Sequence, residues 1–268
     1  MSRPISSATA SGLFADGPPA PAEVRHLAAF MDGAIMVPEV RWELRRHWGL
    51  CDRHSWLYTV LEVEARGGAG PFSTAILLED LLQQAVAVLR RRALLPWALA
   101  QRPLRRRGRC FTCDYQGLVG ERGSGAGAAT ASLAPADRAA GTCRLVAAAA
   151  PQWRRRACPR CLPGPPGPEA VPCRVHLLQD AAPPDRAAVT AALGDLALRL
   201  HRYVRSLTWR GPVVGPPELA AWVEALGWTG GWARVRSATA DTGPQDGLGP
   251  VGPPARSVTP GGGGALDG

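Results

Sequence analysis

Four short pairs of cysteine and histidine, each with a two-residue gap, constrain this 268-residue chain more than any other feature. Two are C-x-x-C, Cys110/Cys113 and Cys158/Cys161, and two are C-x-x-H, Cys51/His54 and Cys173/His176. A two-residue gap lets both side chains of a pair turn toward one ion within a single tight turn. Two such pairs supply the four N/S ligands of a tetrahedral zinc. The eight residues complete two Cys3His sets and leave only Cys143 of the seven cysteines over. The expected cofactor is therefore one or two structural Zn2+ ions.

Spacing leaves the pairing open. The local solution joins Cys158/Cys161 to Cys173/His176 through an eleven-residue Pro/Gly loop, Leu162 to Pro172, of zinc-finger length. Cys51/His54 would then meet Cys110/Cys113 across a long intervening helix, and a crossed pairing fits a compact fold as well. Both C-x-x-H pairs open helical patterns, so each histidine belongs to a first turn. The helix N-terminal amides there stabilise a thiolate just before them.

Apolar residues recur at helical spacing along most of the chain, and few segments alternate with period two, so the expected class is mainly α. The pattern predicts helices from Ala22 to about Ile35 and from Pro38 to the stop at Gly49. A third follows Cys51 as far as Gly67, and a fourth runs from a Ser73 cap to Arg92. Residues 117–142 are rich in Gly and Ala and read as a flexible stretch with a short helix near Pro135. The clearest helix starts near Asp185, with Val189, Leu193, Leu196, Leu200 and Tyr203 as its stripe, and another spans Pro217 to Leu226. Residues 1–22 and 236–268 are low-complexity Pro/Gly/Ser/Thr segments expected to stay disordered. Between them lie an N-terminal helical half, 23–110, and a C-terminal half, 111–235. Core positions are expected for most of the nine tryptophans.

The net charge of +9 suggests an anionic partner, yet all 31 basic residues are arginine, and lysine and asparagine are absent. That bias is what a very GC-rich, bacterial-type genome writes. Arginine runs at 105–109 and 154–156 flank the two C-x-x-C pairs and carry the alternative reading, a nucleic-acid-binding regulator. A solvated arginine face is preferred to it, and the partner, a protein or otherwise, stays unassigned. No nucleophile–base set or spaced carboxylate pair points to an enzyme, and the Gly-rich segments fit no phosphate-binding loop. C-x-x-C without a strand–motif–helix context does not read as a thioredoxin-like redox pair. His26 has no ligand-spaced partner, His47 reads as a packing residue beside Trp48, and His201 lies on a solvated or half-buried helix face. No export signal precedes the seven cysteines, and no run approaches the ~20 apolar residues of a membrane span. The expectation is a cytoplasmic protein with no membrane association.

The stretches Gly49-Leu50-Cys51-Asp52-Arg53-His54-Ser55-Trp56, Cys158-Pro159-Arg160-Cys161 and Cys173-Arg174-Val175-His176-Leu177 resemble a family of uncharacterised bacterial proteins with repeated C-P-x-C and G-L-C-x-x-H elements, a domain of unknown function. Pieces of the likeness extend over roughly residues 23–235. The resemblance implies zinc binding and a helical fold, and no established activity. It also implies a C-P-x-C pair before the first C-x-x-H, where this chain has Gly17-Pro18-Pro19-Ala20-Pro21-Ala22.

Overall fold

The computed structural model describes residues 13–31, 33, 35, 37–115, 139–180 and 185–239. Among them the structure is mainly helical, with no strand. The elements in order are α1 (Pro21–Met31), α2 (Pro38–Arg46), α3 (Asp52–Ala65), α4 (Ser73–Arg91), α5 (Trp97–Ala100), a 3-10 turn (Arg102–Leu104), α6 (Ala140–Ala148), α7 (Ala150–Trp153), α8 (Arg174–Leu177), α9 (Arg186–Ser206), α10 (Pro216–Gly230) and α11 (Ala233–Thr239). Residues 111–115 are also helical.

The stripe expected on α9 is buried throughout, from Val189 to Tyr203, and packs on α4 and α10. Asp185 caps this helix, its carboxylate accepting from the Ala187 and Ala188 amides at 2.8 and 3.2 Å. Helix α3 is buried on nearly every face from His54 to Val63. Two carboxylates near its end serve other helices. Glu62 accepts from the Phe72, Ser73 and Thr74 amides at 2.8, 2.5 and 2.9 Å, so it closes the start of α4. Glu64 accepts from the Thr142 amide at 2.9 Å and does the same for α6. Each satisfies orphan N–H groups that a helix start leaves open. The expected Ser73 cap is thereby corrected: Ser73 lies inside the first turn, and the cap comes from a carboxylate eleven residues upstream.

Several other boundaries differ from the sequence pattern. Helix α1 ends at Met31 rather than near Ile35. Helix α10 runs through Gly227 to Gly230, because that glycine is a packing residue and not a stop. A Cβ on Gly227 would lie 2.6 Å from the Trp232 ring, so the indole occupies the space of the missing side chain. Ala140 to Ala148 form α6, although alanine and glycine there read as flexible. The expected tails are trimmed at both inner ends. Leu13 and Phe14 are buried, and α11 continues to Thr239 with Val235 and Ala238 in the core. Residues 1–12, 116–138 and 240–268 lie outside the described residues, and with them most of both tails and the helix expected near Pro135.

Seven of the nine tryptophans are buried, while Trp42 and Trp209 are 59% and 82% exposed. Trp48 is the most constrained. Its φ of 56° is a left-handed conformation that bulky residues avoid, yet its side chain is 1% exposed and its Nε1 donates to the Pro103 carbonyl at 2.8 Å. Gly49 follows with φ 75°, and the reversal ends α2 and delivers Cys51 to the start of α3.

Candidate metal centres

Both C-x-x-H pairs are built in the same way. Cys51 is the N-cap of α3, with φ −67° and ψ 169°, and Cys173 is the N-cap of α8, with φ −66° and ψ 162°. Each cysteine carbonyl accepts the first intrahelical bond at 2.8 Å, from Ser55 and from Leu177. Each histidine then sits at the third helical position, and its own backbone N–H points back at the preceding sulfur. The same backbone thus places one sulfur and one imidazole side by side at two separate helix starts.

The structure gathers Cys51, His54, Cys110 and Cys113 into one group, and Cys158, Cys161, Cys173 and His176 into another. Within each, all four ligand atoms lie within 4.8 Å of one another. The crossed pairing is not the one formed. In the first group the His54 Nδ1 is 3.2 Å from Cys51 Sγ, 3.2 Å from Cys110 Sγ and 3.5 Å from Cys113 Sγ. Cys113 Sγ is 3.2 Å from Cys110 Sγ and 3.8 Å from Cys51 Sγ. In the second group the His176 Nδ1 lies 3.3, 3.2 and 3.3 Å from the sulfurs of Cys158, Cys161 and Cys173. Cys161 and Cys173 are 3.7 Å apart. A tetrahedral zinc with ordinary Zn–S and Zn–N bonds sets S···S edges of about 3.8 Å and S···N edges of about 3.6 Å. Both groups approach that figure, slightly contracted. Either could hold a metal ion.

The proton distribution argues the same way. In the first group Cys110 is held below the usual thiol value by a hydrogen bond from Cys51, and Cys51 is pushed up to about 11 by being that donor. In the second, a hydrogen bond from Cys173 draws Cys158 down, and the same bond raises Cys173. Within each group one sulfur is thus drawn below and the others pushed above the ordinary thiol value, as expected where like charges would lie this close. A dication removes the conflict.

The second nitrogen of His54 was not legible in the sequence. Its Nε2 meets Glu23 Oε1 of α1 at 2.9 Å, and the histidine is buried. Glu23 is in turn fixed by Arg53, through Nε and NH2 at 3.0 Å each, and by the Ala20 amide at 2.6 Å. Burial pushes the Glu23 carboxyl up, but these donors outweigh it and hold it at about 2. A carboxylate on the outer nitrogen fixes the imidazole tautomer and ring orientation and leaves Nδ1 free to ligate. Arg53 also donates to the Gly17 and Pro18 carbonyls at 2.9 and 3.1 Å. The segment 17–22, where the resemblance implied a C-P-x-C, thus lies against Arg53 and Glu23, and it is Glu23, just beyond it, that touches His54.

Arg174, next to Cys173, joins the surroundings of the two groups. It is 6% exposed, donates to Thr229 O and Leu104 O at 3.1 Å each, and lies 5.6 Å over the Trp48 ring. Leu104 begins the run that ends at Cys110, and Trp48 precedes Cys51 by three residues.

The Leu162–Pro172 loop returns the chain to Cys173 by passing close to Arg155, whose carbonyl would lie 2.2 Å from a Cβ on Gly167. Among the remaining candidates, Cys143 belongs to neither group and is buried in the core. His47 is buried against Glu43, His201 pairs with Glu79 at 3.0 Å on the surface, and His26 stacks on Tyr115 at 3.9 Å. The arginine runs are partly engaged within the molecule. Arg155 and Arg156 pair with Glu169, and Arg106 donates to the Leu50 carbonyl. Nothing in their arrangement supports nucleic-acid binding. No described helix is long and apolar enough to cross a membrane. Comparison with protein families, with curated proteins and with solved structures finds no match.

Proposed function

We propose that each Cys3His group holds one zinc ion, and that the protein is a non-enzymatic, metal-stabilised helical protein of a reducing, cytoplasmic-type compartment. One observation carries the reading. Two groups of three sulfurs and one imidazole nitrogen close to near-tetrahedral separations, each built on a cysteine-capped helix start. Three soft thiolates and one imidazole select zinc over the hard, oxygen-seeking cations. Four protein ligands leave no open position for water, which makes the ion structural rather than catalytic. The resemblance to the C-P-x-C/G-L-C-x-x-H family belongs to this same reading. Six thiolates and two imidazoles would give each site a net charge of minus one, and the buried Arg174 beside Cys173 offsets one of these charges.

Elemental analysis of untagged protein, purified in reducing buffer without chelator, tests the proposal. Two zinc per chain is the expected result, with loss of helicity when a strong chelator removes them, because structural zinc binding is folding free energy. Metal-free protein that melts at the same temperature with and without added zinc would refute it.

A further inference from the structure

The two Cys3His groups share a cysteine-capped helix start and differ in what stands behind the imidazole. His54 is 3% exposed, and its outer nitrogen meets Glu23 at 2.9 Å. Arg53 and the Ala20 amide hold that carboxylate by three further hydrogen bonds, none longer than 3.0 Å. The helix that carries His54 has 14 residues.

His176 is only half-buried. Its Nδ1 lies among the three sulfurs, while its Nε2 meets no hydrogen-bonding group among the described residues. That nitrogen is not one of the buried unpartnered atoms either, so it opens to solvent. Helix α8, which carries it, has four residues, and Val175 just before it is 38% exposed. The loop that joins the two ligand pairs is also open, with Pro163, Gly164, Pro165 and Pro166 all exposed. Arg160, between Cys158 and Cys161, donates to Asp180 at 2.6 Å and to Gln179 at 3.3 Å. The side chains of the Arg160–Asp180 pair are 48% and 28% exposed, and solvent screens such a pair until it contributes little. Two features favour the second group, the buried Arg174 and the Trp232 N–H that reaches Cys161 Sγ. Neither orients the imidazole, since Arg174 donates to the Thr229 and Leu104 carbonyls.

Given the two zinc ions proposed above, we propose that they are held unequally: the first is permanent, and the second, at Cys158, Cys161, Cys173 and His176, is exchangeable, its occupancy following the zinc available in solution. A carboxylate behind a ligating histidine is worth about 10–100-fold in metal affinity, and only the first group has one. Solvent takes that place at His176 and orients the ring less firmly. The second ion also joins the two ends of the Leu162–Pro172 loop, at Cys161 and Cys173. Its release frees the loop, so the order of this segment reports zinc supply.

The test starts from full-length protein carrying two zinc equivalents and adds a chelator in steps. Bound zinc is read by elemental analysis, and each cysteine by alkylation and mass spectrometry. Zinc should leave in two steps of one equivalent each. Cys158, Cys161 and Cys173 should be alkylated at about 10–100-fold lower chelator than Cys51, Cys110 and Cys113. Isotopically enriched zinc added without chelator should replace one equivalent and leave the other in place over the same time. Glu23→Gln should close most of the gap by lowering the first threshold alone. Loss of both equivalents at one chelator concentration, earlier exposure of Cys51, Cys110 and Cys113, or an unchanged gap in Glu23→Gln would overturn the proposal. Protein that holds no zinc at all would overturn the metal reading together with it, a result distinct from two ions lost in one step.

Discussion

Glu23→Gln separates the two metal sites, and the size of its effect follows from the hydrogen bonds around one carboxylate. Glu23 Oε1 meets His54 Nε2 at 2.9 Å and Arg53 Nε at 3.0 Å, while Oε2 meets Arg53 NH2 at 3.0 Å and the Ala20 amide at 2.6 Å. Glutamine keeps the shape but turns one oxygen into an NH2 group, which cannot accept. Whichever way the amide lies, two of the four donors face another donor. If these are His54 and Arg53 Nε, the imidazole loses the partner that fixes its ring. If they are Arg53 NH2 and Ala20, α1 loosens over the same histidine. Loss of an outer-shell carboxylate of this kind lowers metal affinity by about 10–100-fold, or roughly 1.4–2.7 kcal/mol. The second site has no contact with Glu23 among the hydrogen bonds of its histidine and should not change. Cysteine alkylation during a chelator titration, read peptide by peptide in a mass spectrometer, reports each site separately. Cys51, Cys110 and Cys113 should become reactive at 10–100-fold lower chelator than in the parent, with Cys158, Cys161 and Cys173 unmoved. Parallel loss of protection at both sites, or no shift at the first, would show that Glu23 does not orient a metal-ligating His54.

Other changes probe the remaining links. Cys173→Ser should remove one zinc equivalent by elemental analysis, keep the first site protected from alkylation, and lower Tm by on the order of 10 °C. Cys143→Ala should retain both equivalents and cost about 1 kcal/mol, read by denaturant unfolding, since Cys143 packs in the core and belongs to neither group. Arg174→Met leaves the Thr229 and Leu104 carbonyls without their donor and should destabilise by roughly 2–4 kcal/mol, a fall in Tm of about 4–16 °C in a calorimeter. Gly227→Ala places a methyl 2.6 Å from the Trp232 ring and should cost about 1–3 kcal/mol. Because the Trp232 N–H also reaches Cys161, the same change should expose Cys161 to alkylation before Cys113.

The helical class and the four Cys/His pairs were legible in the sequence because their signals are local, whereas which pair meets which was not. The α9 stripe needs only 3.6-residue periodicity, and the Cys/His pairs need only a two-residue gap. What was not legible depends on distant partners. Glu23 lies 31 residues from His54, and nothing in its neighbourhood marks it as the residue that will hold an imidazole. Ser73 reads as a helix cap until Glu62 of another helix takes its place. Gly227 reads as a stop because a glycine in a helix usually costs stability, and only the Trp232 ring against its Cα reveals the compensation. The arginine runs read as a basic surface, and the acidic groups that engage Arg155 and Arg156 come from the loop, α9 and α10.

These long-range pieces share a pattern that explains why such a chain would use metal. Helix α3 begins at a ligand, Cys51, and near its end supplies the carboxylates that start α4 and α6. Helix α6 leads through α7 to Cys158, and Arg174, the first residue of α8, ties the second group to the approach of the first. The helices are thus tied at their starts, where orphan amides need partners, as well as along the apolar faces by which α9 packs on α4 and α10. The elements around the second group, α7 and α8, have four residues each and cannot stand as isolated helices. Fixing Cys173 and His176 at a metal would supply the nucleus that four residues lack. By the same reasoning, removal of metal should melt the segment from Arg154 to Asp180 before α9, whose 21 residues carry their own cap and buried stripe. Hydrogen exchange in the presence of chelator would show that order as early loss of protection at Leu177, with Leu196 and Leu200 protected until global unfolding. Simultaneous loss at all three would mean that the metal groups hold the whole core and not one of its parts.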